Sequence, residues 1–147
     1  MPCYKPVEGW ADNIIACFRL IKKQIPGTRL ILVNDGSRTI STETIKAAFA
    51  GHTDIEVVSY AENQGKGYAL RQGIGKAGTG LVIYTDVDFP YTHDSFIKVY
   101  NTLTAGNTDV AIGIRGEEYY THLPQARVRI SKLLRWFIKK FLRIPTD

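Results

Sequence analysis

Apolar residues recur at helical spacing in five stretches of the chain. In the first, residues 10–24, Ile14, Phe18 and Ile21 fall on one face, and a Pro-Gly pair ends the pattern. Ser41 suits the N-cap of a second helix through about residue 50. The remaining helices are predicted from residue 65 onward, over residues 96–103 and over residues 125–143.

Four short apolar runs alternate with these helices, and such runs predict buried strands. They cover residues 29–34, 55–60, 81–85 and 110–114, whereas residues 1–6 are predicted as a turn. The alternation of strands and helices predicts an α/β fold of the Rossmann-like kind, with a mostly parallel sheet flanked by helices.

Charged residues follow the predicted strands. Asp35 comes directly after the first run, Asp86 and Asp88 follow the third, and Arg115 follows the fourth. Because the carboxyl ends of parallel strands meet at one edge of a sheet, we expect these side chains to converge there. The sequence therefore predicts a single site at this edge.

Asp86 and Asp88 are separated by one residue. On an extended backbone the two side chains would point the same way. Together they could hold a hard cation, Mg²⁺ or Mn²⁺, against a diphosphate. The alternative interpretation is an acidic turn without a metal.

Gly65, Lys66 and Gly67 open the third predicted helix. Glycines at a helix start let backbone N–H groups approach an anion, and Lys66 adds positive charge. The spacing matches neither a P-loop nor a dinucleotide fingerprint. The segment thus indicates a phosphate contact or, alternatively, a plain strand-to-helix turn.

The net charge of +5 lies entirely in the last quarter of the chain. Residues 1–114 carry 11 Lys/Arg and 11 Asp/Glu, and residues 115–147 carry 8 Lys/Arg and 3 Asp/Glu. The helix over residues 125–143 combines these cations with an apolar stripe, which suits the interface of an anionic membrane. The alternative is a stripe packed on the domain core. A nucleic acid partner is not expected.

The two cysteines, Cys3 and Cys17, are too few for a disulfide framework or a zinc site. This usage favours a reducing compartment, and the cytoplasm is expected. The sequence has no apolar run of the roughly 18 residues that span a bilayer and no signal-peptide pattern.

Four motifs in order carry a family resemblance: Pro2-Cys3-Tyr4, Val33-Asn34-Asp35-Gly36-Ser37, Asn63-Gln64-Gly65-Lys66-Gly67-Tyr68-Ala69 and Asp86-Val87-Asp88. In this order and spacing the set resembles the family 2 glycosyltransferases, which have the GT-A nucleotide-sugar-binding fold. The Gly-Lys-Gly, the Asp-Val-Asp-Phe-Pro-Tyr and the Arg127-x-x-x-Ser131 pattern after Gly113-Ile114-Arg115 more narrowly resemble the polyprenyl-phosphate sugar transferases of the dolichyl-phosphate mannose synthase type.

The resemblance implies a site for a GDP- or UDP-linked sugar. Pro2 and Tyr4 would border the base and ribose, and Asp35 would accept a hydrogen bond from the base. The metal, Mg²⁺ or Mn²⁺, would bind to the two carboxylates of the Asp-Val-Asp motif. The full implied donor set is Pro2, Tyr4, Asp35, Gly65, Lys66, Asp86, Val87 and Asp88.

The resemblance also implies an acceptor, the phosphate of a polyprenyl lipid at the cytoplasmic face of a membrane. Arg115, Arg127 and Ser131 match the positions that would hold this phosphate, and guanidinium groups suit that task. The implied catalytic residues are Asp86, Asp88 and Arg115. The implied protein is a peripheral membrane enzyme.

The implied reaction is an inverting displacement at the anomeric carbon. A hydroxyl acceptor would need a catalytic base, whereas a phosphate is already anionic. Asp94 is predicted as a helix cap, and His93 is only a weak alternative base. The other functions left open are transfer to a glycan hydroxyl, sugar-nucleotide synthesis, and a non-catalytic module that binds nucleotide sugars or membranes.

The chain departs from the family pattern at four places. Lys5-Pro6 stands where an acidic residue usually follows the Tyr, with Glu8 as a shifted substitute. Met1 stands where the family's first strand would precede Pro2, Pro90 replaces a common Gln, and the sequence stops at Asp147 before the family's C-terminal part. We therefore expect residues 1–147 to form a partial catalytic domain. Exposed strand edges in such a fragment predict instability, inactivity or homo-oligomers.

Overall fold

The computed structural model describes residues 1–78, 80–89, 92–106, 108–113 and 124–142, apart from the side chain of Arg127. The chain forms two compact units, Met1–Ala111 and Ile112–Asp147.

The first unit is built on a three-stranded sheet in the order β1-β2-β3, with all neighbours parallel. The strands are β1 (Pro2–Cys3), β2 (Leu30–Asp35) and β3 (Ile55–Tyr60). Six consecutive residues of β2 pair with β3, whereas β1 pairs with β2 only at Val33 and Asn34. This parallel sheet confirms the predicted α/β class, although β1 lies where the sequence predicted a turn.

The short β1 is tied to β2 by backbone hydrogen bonds that also use Met1. The Met1 amino group donates to the Ile31 carbonyl oxygen at 2.8 Å, and the Val33 N–H donates to the Met1 carbonyl oxygen at 2.9 Å. A turn pattern therefore becomes a strand here because the edge of β2 supplies hydrogen-bond partners.

Four helices flank the strands: α1 (Trp10–Gln24), α2 (Thr42–Ala48), α3 (Lys66–Ala77) and α4 (His93–Thr104). In α1 the predicted stripe of Ile14, Phe18 and Ile21 is buried. Ser41 caps α2 as predicted, since its side chain accepts a hydrogen bond from the Thr44 N–H at 3.1 Å.

The cap of α4 differs from the prediction. The side chain of Thr92 accepts a hydrogen bond from the Ser95 N–H at 3.3 Å and forms the N-cap. Asp94, the predicted cap, lies in the first turn, where a carboxylate favours the helix dipole. Both residue types are good caps, so propensity alone does not separate them.

The core of the first unit lies between the strands and helices α1 and α2. Trp10 and Phe49 meet there with ring centroids 5.6 Å apart in an edge-to-face arrangement. The buried cluster consists of Cys3, Trp10, Ile14, Phe18, Leu32, Ile45, Phe49 and Ile55.

Residues 81–85 do not form the strand that the sequence predicts. Tyr84 is 60% exposed, and a cavity of about 340 Å³ borders both this run and Leu30 and Ile31 of β2. A strand needs a neighbouring backbone to complete its hydrogen bonds. β2 already has β1 on one side and β3 on the other, so the run over residues 81–85 cannot pair with it.

The strand predicted over residues 110–114 is also wrong for residues 110–113, which have no regular structure. Val110 is 71% exposed and Ile112 is 80% exposed. Apolar residues favour a strand through burial and pairing, and neither is present here. Ile114 lies outside the described residues.

The second unit contains α5 (Gln125–Phe137), which continues into a π-helical turn (Ile138–Leu142). The ring centroids of Phe137 and Phe141 lie 4.6 Å apart, and the Lys140 ammonium lies 4.9 Å from the centroid of the Trp136 ring. Most of the predicted apolar stripe is exposed, whereas its members Val128 and Ile138 are partly buried. The exposed members are Ile130, Leu133, Leu134, Phe137 and Phe141, and Trp136 and Leu142 beside them are exposed as well.

Within the described ranges, every helix falls short of the length and apolarity needed to cross a bilayer.

Candidate functional site

Asp35 lies at the carboxyl end of β2, where the sequence placed it, and it is only 3% exposed. Its Oδ1 accepts hydrogen bonds from the Tyr60 hydroxyl at 2.7 Å and from the Gln64 N–H at 2.8 Å. Its Oδ2 accepts one from the Asn63 side-chain amide at 2.9 Å. Three of about four acceptor positions on the carboxylate are therefore used within the protein.

This network raises the pKa of Tyr60 well above its usual value. Burial of the phenol is the largest cause, followed by its hydrogen bond to Asp35 and the negative charge of that carboxylate. Tyr60 therefore stays protonated and donates to Asp35 across the neutral range. The edge-to-face contact with Tyr68, at 5.3 Å, packs the same phenol on α3.

The turn after Asp35 packs directly on the loop after β3. Gly36 has φ +59°, and a Cβ added there would lie 2.3 Å from the Asn63 backbone nitrogen. Only glycine allows this approach without displacing the loop. The Asp-Gly-Ser motif and the Asn-Gln-Gly-Lys-Gly motif, far apart in sequence, are thus joined at one edge of the sheet.

The end of β1 reaches the same turn. The Lys5 N–H donates to the Ser37 hydroxyl at 3.0 Å, and the Ser37 N–H donates to Asn34 Oδ1 at 3.1 Å. Tyr4 is exposed beside this turn, with the Lys5 ammonium 5.2 Å from its ring centroid. Pro2 pairs with Val33 one strand away. These contacts bring the first two sequence motifs together.

The third motif begins α3. Gly65 forms the N-cap with φ +85°, and Lys66 is the first helical residue. The Lys66 ammonium lies 2.5 Å from Asp86 Oδ1, which links the helix start to the Asp-Val-Asp motif. The side chains of Lys66 and Asp86 are 55% and 40% exposed, so this ion pair is open to solvent.

The Asp86-Val87-Asp88 segment is a turn, whereas the two carboxylates were expected on an extended backbone. The Phe89 N–H donates to the Asp86 carbonyl oxygen at 3.0 Å, and Phe89 has φ +45°. Val87 packs against the core, and the Asn13 side-chain amide donates to the Asp88 carbonyl oxygen at 3.3 Å. The turn is therefore fixed from α1 and from the core.

The donor set of this turn fits a hard divalent cation that is bound together with phosphate. Asp86 and Asp88 both reach solvent and supply two carboxylates. In the described part of the chain, His, Cys, Asp and Glu form no group of three that could hold an ion. Mg²⁺ commonly takes one or two carboxylates and completes its shell with substrate phosphates and water.

The predicted acceptor residues belong to the second unit. Ser131 is a partly buried residue of α5, and the backbone of Arg127 lies in the same helix. Arg115 and the side chain of Arg127 lie outside the described residues. Their predicted role in holding a phosphate therefore stays a prediction.

Several residues of the site were given no role from the sequence. Asn63 and Gln64 stood in a quoted motif, and the side-chain amide of Asn63 after a strand could have signalled a partner for Asp35. Gln64 contacts Asp35 through its backbone N–H, which no residue type signals. Tyr60 ended a predicted strand and gave no such signal. Asn13 reaches Asp88 across 75 positions of sequence, so no local pattern could have found it.

The model of the family described as "Glycosyl transferase family 2" matches residues 1–146. Comparisons with curated proteins and with solved structures gave no match. The matched region covers nearly the whole chain and includes all four motifs that meet at the sheet edge and at the start of α3. The protein therefore belongs to glycosyl transferase family 2, a family of glycosyltransferases that use a nucleotide-sugar donor and an acceptor.

Proposed function

We propose that this glycosyltransferase moves one sugar from a nucleoside-diphosphate sugar to the phosphate of a polyprenyl lipid. The observation that carries the proposal is the composition of α5 and its π-helical turn. This segment presents exposed apolar side chains, such as Leu133 and Phe137, beside the cations Lys132, Lys139 and Lys140. A polyprenyl phosphate is itself an apolar chain with an anionic head, so both chemistries have a counterpart.

The carboxylate that follows the Asp-Val-Asp turn also favours a phosphate acceptor, because it is poorly placed to act as a catalytic base. A sugar hydroxyl must lose its proton to a base during transfer, whereas a phosphate oxygen is already anionic. Asp94, the spare carboxylate, is 87% exposed and lies 3.5 Å from the His93 ring. It is placed to favour the α4 dipole and is surrounded by solvent, so it lacks the enclosed position beside a substrate that a general base needs.

On the donor side, Asp86 and Asp88 would hold Mg²⁺ or Mn²⁺ against the diphosphate. A bound cation supplies neutralisation of the charge that develops on the leaving nucleoside diphosphate. Lys66 and the backbone N–H groups that begin α3 add donors for the same phosphates. Tyr4 would border the nucleoside, at the end of β1.

The proposed reaction is a single displacement with inversion. An oxygen of the acceptor phosphate forms a bond to the anomeric carbon, and the bond from that carbon to the β-phosphate oxygen breaks. The departing nucleoside diphosphate keeps the electron pair, and no proton is transferred. Arg115, Arg127 and Ser131 would hold the acceptor phosphate in place for this attack.

The test is sugar transfer by the purified chain with Mn²⁺ and labelled GDP-mannose, UDP-glucose or UDP-GlcNAc. We expect label on polyprenyl phosphate with one of these donors and none on a free glycan. Arg127→Ala should raise the acceptor KM by about ten- to a hundredfold, the size of a lost hydrogen bond to a charged group. The donor Kd should stay unchanged.

Arg129→Ala is the matched control, because Arg129 is an exposed arginine on the same helix. It should leave the acceptor KM within about twofold of the parent value, as expected of a solvated surface charge. Label on the glycan alone would show a hydroxyl acceptor and remove the lipid assignment. Donor binding without transfer to either acceptor would instead support a nucleotide-sugar binding module.

We further propose that the protein works peripherally at the cytoplasmic face of a membrane, with α5 in the interface. Aromatic and aliphatic side chains would enter the acyl boundary while the lysines meet anionic headgroups. Trp136 is exposed on this helix, and the Lys140 ammonium beside its ring would be placed near the lipid phosphates.

Tryptophan fluorescence tests this location, because the chain has two tryptophans and the other, Trp10, is buried in the core. We expect a blue shift with vesicles that contain phosphatidylglycerol, and its loss as salt rises. Trp136→Phe should remove the shift but not the flotation of the protein with vesicles. Leu133→Gln with Leu134→Gln should abolish both. A shift that is equal with neutral vesicles at high salt would contradict the electrostatic part.

A further inference from the structure

The position of Lys66 at the start of α3 is unfavourable for the helix itself. Lys66 is the first residue of α3, and the first turn of this helix contains no acidic residue. A cation at this end opposes the helix dipole. The Lys66 ammonium forms an ion pair with the Asp86 carboxylate, 2.5 Å away.

We propose that Lys66 is the counter-ion of Asp86 while the site is empty and that it transfers to the donor diphosphate when the donor binds. This inference rests on the proposed donor and cation site. It adds a role for Lys66, through which cation binding depends on the presence of the donor. Lys66 is thus a positioning residue that keeps the carboxylate in place and discourages a cation from binding alone.

The charges of the site support this order of events. Asp86 and Asp88 bring two negative charges, and Lys66 offsets one of them through Asp86 Oδ1. A divalent cation arriving alone would meet an ammonium at one of its ligands. A diphosphate at the start of α3 gives Lys66 a new anionic partner and frees that oxygen.

The ion pair between Lys66 and Asp86 is partly exposed to solvent, so breaking it costs little free energy. Exposed ion pairs contribute about 0.2–1 kcal/mol, which corresponds to an effect of about one and a half- to fivefold on an equilibrium constant. Lys66→Met keeps a long side chain and removes the charge. We therefore expect it to tighten Mn²⁺ binding in the absence of donor by about two- to fivefold.

The same substitution should act in the opposite direction once a diphosphate is present. Loss of a charged hydrogen-bond donor to phosphate costs about tenfold or more in affinity. We expect Lys66→Met to weaken binding of a nucleoside diphosphate in saturating Mn²⁺ by about that factor. A residue that only stabilised the fold would change both affinities in the same direction.

The experiment measures free Mn²⁺ by electron paramagnetic resonance during titration of the full chain, without donor, and then nucleoside diphosphate binding by calorimetry with Mn²⁺. Lys76→Met is the matched control, since Lys76 is an exposed lysine in the last turn of the same helix. It removes the same charge about 15 Å away along the axis and should change neither affinity. Far-UV circular dichroism checks that each variant is folded.

The outcomes separate this inference from the proposed function. If Lys66→Met leaves donor-free Mn²⁺ binding unchanged or weakens it, while Asp86→Asn abolishes it, Lys66 is not the counter-ion and the cation site stands. If Asp86→Asn does not affect Mn²⁺ binding, the proposed cation site is wrong and the inference fails with it.

Discussion

Asp86→Asn should lower kcat/KM for sugar transfer by at least about a hundredfold while leaving the chain folded. The substitution keeps the shape of the side chain but removes the charge that would hold both the cation and Lys66. Loss of one group that stabilises charge in a transition state typically costs about 10²–10³ in rate. The measurement is initial-rate kinetics with labelled donor at saturating Mn²⁺.

The structural cost of this change should be small, because the Asp86 side chain is 40% exposed and exposed ion pairs contribute at most about 1 kcal/mol. Asp94→Asn is an informative control, since Asp94 is the alternative base in the same region. It should leave kcat/KM nearly unchanged. A loss as large as that of Asp86→Asn would indicate base catalysis and therefore a hydroxyl acceptor.

Asp35→Ala should destabilise the protein by at least about 3 kcal/mol. The change removes an acceptor for the Tyr60 hydroxyl, the Asn63 amide and the Gln64 N–H. Hydrogen bonds to a charged group contribute about 1.5–3 kcal/mol each, and water can recover part of this loss at the exposed loop residues. For a domain of this size the expected fall in Tm is roughly 10 °C.

Thermal unfolding followed by circular dichroism measures this effect. Asp54→Ala is the comparison, because Asp54 makes a partly exposed ion pair with Lys22 and should cost no more than about 1 kcal/mol. If Asp35→Ala kept the parent Tm but lost nucleotide binding, the carboxylate would bind the nucleotide base and would not stabilise the packing of the loop after β2 on the loop after β3.

The helices and the strands β2 and β3 could be predicted because their sequence signals are local. The stripe of Ile14, Phe18 and Ile21 can be recognised within a single helix. The apolar run before Asp35 can likewise be recognised within a single strand. The position of Asp35 at a strand end followed directly. Its partners did not, because Tyr60 and Asn63 are brought to it by the packing of two loops around Gly36.

The failures came from features that depend on distant parts of the chain. Residues 81–85 have the composition of a strand, but strand formation depends on a neighbour that lies elsewhere in the sequence. The turn at Asp86 depends on the Phe89 N–H and on Asn13 of α1. No periodicity in the motif itself could indicate these contacts.

The irregular run before Asp86 has a consequence for ligand response. Backbone amides that hydrogen-bond between β2 and β3 exchange with solvent only when this ladder opens, which requires disruption of the core. Residues 81–86 are outside that ladder. The amides of this run can therefore exchange while the parallel strands stay closed, and a substrate bound at the turn that follows should slow that exchange.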